Sequence, residues 1–223
     1  HSLFDNSYIN KPSNFKTSVM KNSFQPLWAI LLFLSFMLSS SGLNAQAITS
    51  FPHSTNFASD IGDWYNSTTD DFDWTQTTGG TTSSGTGPQN SPYGANGTTG
   101  YIFTETSSPR TYNETARIFC TYDLSGASSA DVTFYYHMYA SSGYGPGTLR
   151  LRVYYGNSNS GGSISTIWSA TSSNNGWLQT TVDLTSYVGY SYVQLQFECI
   201  TPSSGTIWQS DNSLDEIVVD ANF

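Results

Sequence analysis

The sequence predicts an all-β chain folded as an antiparallel β-sandwich, and three observations carry that prediction. Beyond residue 47 the apolar residues recur with a period of two or in short aromatic runs, with no convincing helical period. Turn-rich stretches separate these runs at close spacing. Charged residues make up only 10% of the chain, so Ser, Thr, Asn and Tyr supply its polar surface, as on exposed sheets.

The N-terminal segment is of a different kind. Met20-Lys21 is followed by the apolar run Leu27 to Leu38 and by the small, polar stretch Ser39 to Ala47. This is the layout of a secretory signal peptide, and about a dozen apolar residues fall short of the roughly 20 that span a bilayer. The expected organisation is an upstream segment without structural role over 1–19, a signal peptide over 20–47 and one domain over 48–223. A secreted or cell-surface location follows, with no membrane insertion once the signal is cleaved.

Eight strands are then expected in order. Tyr101 to Glu105 and Thr115 to Thr121 are short candidates. Val132 to Tyr139 (VTFYYHMY) is strongly aromatic, and Leu149 to Tyr155 (LRLRVYY) begins by alternating. Ser163 to Ser169 and Trp177 to Leu184 follow. Val193 to Ile200 (VQLQFECI) places Val, Leu, Phe and Cys on one face and Gln, Gln and Glu on the other. Leu214 to Val219 closes the series. The loop from Gly79 to Thr99 is long and polar, a length typical of functional or mobile segments.

Charge excludes some partners. Beyond residue 47 there are 15 acidic residues against Arg110, Arg117, Arg150 and Arg152, a net charge of about −11. Such a surface repels nucleic acid and anionic lipid. Cys120 and Cys199 both have inward parity on their strands, which is compatible with a disulfide in an oxidising compartment; two buried thiols are the alternative. No HExxH and no G-x-S-x-G motif is present. Glu198 shares the outward face of its strand with Gln194 and Gln196 and reads as an exposed strand acid. A glycoside hydrolase would need a second carboxylate near it.

The motifs DDFDWT (Asp70 to Thr75), GTGP (Gly85 to Pro88), ETARI (Glu114 to Ile118), FYYHMY (Phe134 to Tyr139), GTLRLRV (Gly147 to Val153), VQLQFE (Val193 to Glu198) and LDEI (Leu214 to Ile217) occur in this order. Together they resemble the MAM domain, the extracellular module of meprin, neuropilin and receptor phosphatase mu, over nearly all of residues 51–222. The resemblance implies a jelly-roll-like antiparallel β-sandwich that serves adhesion or recognition of an extracellular protein or glycan, without catalysis. It also implies a covalently linked neighbouring domain, such as an enzyme beyond the C-terminus. A carbohydrate-binding module is the alternative function, and a sandwich glycoside hydrolase a remoter one. The cysteines depart from the family's usual places, and Phe57-Ala58 stands where Phe-Glu is common.

Two sites are expected. Asp71, Asp73 and Asp215 would share a structural cation, for which calcium is the fitting ion, or else bond backbone N–H groups in turns. Tyr135, His137 and Tyr139 on one strand and Arg150, Arg152 and Tyr154 on the next would form one binding surface if the two strands are a hairpin. Trp208 is a further exposed-ring candidate.

Overall fold

The computed structural model describes residues 46–141 and 145–223. The expected upstream segment and nearly all of the expected signal peptide lie outside them. Among the described residues no helix is long and apolar enough to cross a membrane.

Among the described residues eleven strands form two antiparallel sheets. They are β1 (His53–Thr55), β2 (Tyr65–Asn66), β3 (Trp74–Thr77), β4 (Tyr101–Thr104), β5 (Thr115–Tyr122), β6 (Ser129–Met138), β7 (Thr148–Gly156), β8 (Ser163–Ala170), β9 (Asn174–Asp183), β10 (Tyr192–Ile200) and β11 (Ser213–Asn222). One sheet runs β3-β4-β11-β6-β9, with β1 paired to the second half of β11; the other runs β2-β5-β10-β7-β8. The architecture is a jelly-roll-like β-sandwich. All eight strands expected from the sequence are present; the short β1, β2 and β3 carry too few residues to show a period.

Alternation decides which face of each strand is buried. Ile118 and Cys120 of β5, Leu195 and Phe197 of β10, and Leu151 and Val153 of β7 point inward from the five-stranded sheet. Val132 and Phe134 of β6 and Leu214 and Val219 of β11 meet them from the other sheet. Phe134 and Phe197 cross in an edge-to-face contact at 4.7 Å, and Trp168 packs edge-on to Phe134 at 5.1 Å.

The expected hairpin of the FYYHMY and LRLRVYY strands does not form. β6 has both edges taken, by β11 and β9, and β7 has both taken, by β10 and β8. The connection between them crosses from one sheet to the other. Asn212 donates to the Pro146 carbonyl at 3.2 Å within it. Gly147 ends it at a φ of 74°, where an added Cβ would lie 2.3 Å from the Ile200 carbonyl oxygen. The apolar faces of β6 and β7 therefore confront each other through the core, and their polar faces point in opposite directions.

The Cys120–Cys199 disulfide does not form either. Both thiols are buried and free. β5 and β10 are neighbours as expected, but the register pairs Cys120 with Leu195 and Cys199 with Ala116. That offset of four residues is roughly 13 Å along the strands, at about 3.3 Å per residue. A disulfide tolerates Cα atoms only up to about 6.8 Å apart.

Candidate functional site

The outer face of the six-stranded sheet is covered at one end by the long loop. Tyr101 donates its hydroxyl to the Gly79 carbonyl at 2.7 Å, and the Trp177 ring N–H donates to the Tyr93 carbonyl at 3.0 Å. Asp215 Oδ2 accepts from the Ala95 N–H and from the Thr98 hydroxyl, both at 2.8 Å. The loop is a packed lid over the sheet. His137 lies beneath Trp177, is 3% exposed, and burial lowers its pKa to about 4. It cannot serve as a surface anchor. Tyr135 and Tyr139 are half-buried on the same side. Arg150, Arg152 and Tyr154 belong to the opposite face of the molecule.

The three acids expected to share a cation are held separately. Asp71 Oδ2 accepts from the Thr115 N–H at 2.7 Å, and its neighbour Asp70 Oδ2 accepts from the Arg117 N–H at 2.5 Å. These carboxylates pin the DDFDWT segment against β5. Trp74 then enters the core, its backbone held by Asn66 through two bonds of 2.9 Å and its ring N–H by the Ala116 carbonyl at 3.2 Å. Asp73 is exposed. Asp215 is fully buried under the lid, and burial raises its pKa to about 6. Among the described residues no three His, Cys, Asp or Glu side chains come together as a metal cluster. Asp70, Asp71, Asp73 and Glu105 do border an open pocket of about 580 Å³. Two of these acids are already committed to β5, and Glu105 accepts from the Ser107 N–H.

The outer face of the five-stranded sheet is different in kind. Across its three central strands, β5, β10 and β7, register sets three rows of outward side chains: Thr121–Gln194–Tyr154, Phe119–Gln196–Arg152 and Arg117–Glu198–Arg150. Rows two residues apart span about 13 Å along the strands, and the five strands span about 19 Å across. Tyr65 of β2 extends the middle row, in register with Phe119 and 5.5 Å from its ring. Tyr192 meets the Tyr154 ring edge-on at 5.8 Å.

A ladder of hydrogen bonds runs up β10. Gln196 donates to Gln194 Oε1 at 3.0 Å, and Gln194 donates to the Tyr65 hydroxyl at 2.6 Å. At the far end Glu198 accepts from Arg117 Nε at 2.6 Å and from Arg152 at 3.1 Å on Oε2, and from Arg150 at 3.5 Å on Oε1. The expected exposed acid is in fact 3% exposed, because three guanidiniums close over it. The side chains of Arg117, Arg152 and Arg150 are 26%, 25% and 42% exposed.

Sequence reasoning located Arg150, Arg152 and Tyr154 but assigned them the wrong neighbours. It missed Arg117, Phe119, Tyr65 and Tyr192 as companions of the Gln-Gln-Glu face. Outward parity in TARIFC and VQLQFE was available as a signal; the identity of adjacent strands was not. Trp208, in the 3-10 turn Ile207–Gln209, is 41% exposed, away from this grid's strands.

Comparison with known proteins places the chain. The K1 cleaved adhesin domain of Lys-gingipain from Porphyromonas gingivalis W83 superposes with a TM-score of 0.51 at 19% identity, over 78% of this chain and 100% of that one. The C-terminal family 22 carbohydrate-binding module of Clostridium thermocellum Xyn10B gives 0.51 at 9% identity, over 76% and 91%. The CBM22-1–GH10 modules of the Clostridium thermocellum endo-1,4-β-D-xylanase 10B, complexed with xylohexaose, give 0.50 at 12% identity, over 77% of this chain but 28% of that one. At these identities the likeness is one of fold. The family model for the MAM domain, meprin/A5/mu, matches residues 55–222, three quarters of the chain, and the chain belongs to that family.

Proposed function

We propose that this domain is a non-catalytic, extracellular recognition module that binds glycan chains on the outer face of its five-stranded sheet. The observation that carries the reading is the grid of outward side chains on β5, β10 and β7. It offers aromatic rings and planar amide and guanidinium groups on adjacent strands, with positions fixed by the register of a rigid sheet. Rings present apolar faces to sugar C–H groups, and the fixed amides and guanidiniums present donors and acceptors to sugar hydroxyls. The family 22 modules that share the fold are carbohydrate-binding domains, which is in keeping with a glycan ligand.

Catalysis fits the grid poorly. Glu198 is its one carboxylate, and both carboxylate oxygens already accept from guanidinium donors. Glycoside hydrolysis needs two carboxyl groups flanking the scissile bond, one of them free to protonate the leaving oxygen.

The test is affinity electrophoresis through a panel of plant and bacterial polysaccharides, with Tyr154→Ala and Gln194→Ala as probes. Retardation by at least one polysaccharide is expected, reduced about tenfold or more by each substitution, as for lost stacking or a lost polar anchor in a binding site. Retardation unaffected by both substitutions would place the ligand elsewhere. Retention on a protein partner with no glycan binding would favour the adhesion reading.

A further inference from the structure

We infer that the ligand of this face is a glycan neutral along most of its length and bearing an isolated carboxylate, which sits over the Arg117–Glu198–Arg150 row. The inference rests on the sheet-face reading above and adds the charge of the ligand to it.

Charge distribution is the first argument. Of the four arginines in the chain, three converge on Glu198, and no lysine lies beyond Lys21. Glu198 offsets one of their charges. Asp70, which accepts the Arg117 backbone N–H and feels the Arg117 charge, offsets part of another. At least one positive charge is left in excess at one end of the grid, on a domain that is otherwise strongly acidic.

Donor capacity is the second. Each guanidinium carries five N–H donors in a planar fork that matches a carboxylate. Glu198 takes one bond from each of the three. Among the described residues their side chains bond to Glu198 alone, and Arg150, the most exposed of the three at 42%, opens to solvent beside the grid. Guanidiniums held by a buried carboxylate are preorganised, so a second carboxylate meets them at little cost in side-chain entropy.

The third argument is that Arg152 is the one charged side chain in the other two rows, and it is turned onto Glu198 at 3.1 Å. Thr121–Gln194–Tyr154 holds no charge, and neither do Tyr65, Phe119 and Gln196. A densely charged polyanion would lay carboxylates over these neutral positions and against a domain of net charge about −11, which repels it. A sparse acid substituent on a neutral chain avoids both penalties.

The experiment measures equilibrium binding of the full chain to glucuronoxylan and to xanthan, each in native form and after chemical reduction of its carboxylates to alcohols. Polygalacturonate serves as the densely charged comparison. Native polysaccharide is expected to bind about tenfold more tightly than its reduced form in at least one pair, the effect of one charge-assisted contact. Arg150→Gln should erase that difference, so that the variant binds native and reduced forms with equal affinity. Equal affinity for native and reduced forms in both pairs would overturn the inference. So would tightest binding to polygalacturonate, a difference that survives Arg150→Gln, or no binding to any of the five. Equal affinities that still fall with Tyr154→Ala would leave the sheet-face reading standing; binding indifferent to Tyr154→Ala would remove that reading instead.

Discussion

Glu198 shows how a single side chain can be outward-facing and buried at once. Its Cα points away from the core, yet Arg117, Arg150 and Arg152 shield it to 3% exposure. Removing the shared acceptor leaves three crowded cations without a counter-charge, whereas removing the most exposed donor leaves two. Glu198→Gln should lower unfolding free energy by about 3 kcal/mol, within the range for breaking a buried ion pair. Arg150→Gln should cost under about 1 kcal/mol, as for a surface pair. Urea unfolding of both variants checks this, and equal losses would mean the cluster is not organised around the carboxylate. The aspartates of DDFDWT teach a related lesson. Their spacing reads as a cation set, but Asp70 and Asp71 accept backbone N–H groups of β5 and so fix where Trp74 enters the core.

Strand identity was legible where alternation ran long enough, as in VQLQFECI, and illegible in the two-residue β2 and three-residue β1. Parity correctly turned Cys120 and Cys199 inward. It could not give the register, because sliding one strand by an even number of residues leaves every side chain on the same face. The four-residue offset that separates the two thiols is therefore a property of the pair of strands and not of either one. Both thiols are expected to stay reduced. Each is buried, and burial raises each thiol pKa to about 11. Alkylation without reductant should label neither cysteine in the folded chain and both in denaturant, read by mass. An unlabelled pair in denaturant would show that they had bonded. The β6–β7 connection carries the same ambiguity. Two alternating strands joined by a short turn can pair within a sheet or face each other across a core, and pattern alone is the same in both cases.

The whole domain is built around buried acids, and its stability should depend on pH accordingly. Asp211 and Asp215 are fully buried, and desolvation raises their pKa values to about 7 and about 6. Each is raised above its unfolded value, so the folded state binds the proton more tightly and stability grows as pH falls through these values. Asp131 adds to this in the same direction through burial and through Asp220 and Asp183, which flank it across the sheet. His137 acts oppositely. Its folded pKa of about 4 lies below the ordinary 6.5, so the unfolded chain takes up the proton first and stability is lost as pH falls from about 6.5 toward 4. The melting temperature should rise from pH 8 to pH 6 and go on rising toward pH 4, because two buried acids gain where one histidine loses, with Asp211→Asn flattening the rise. A melting temperature that falls steadily from pH 8 to pH 6 would contradict this account. By itself the sequence determined that the chain is an antiparallel sandwich, which strands are long, which side of each is apolar and which family the motifs belong to. These follow from local periodicity and from residue order, both written along a single strand. Only the tertiary structure decided that the two best-marked strands lie in opposite sheets, that the cysteines miss each other, that the long loop is a lid and that three arginines enclose one glutamate. Each of these depends on which strands become neighbours and in what register, and that is set by the packing of all eleven strands around one core.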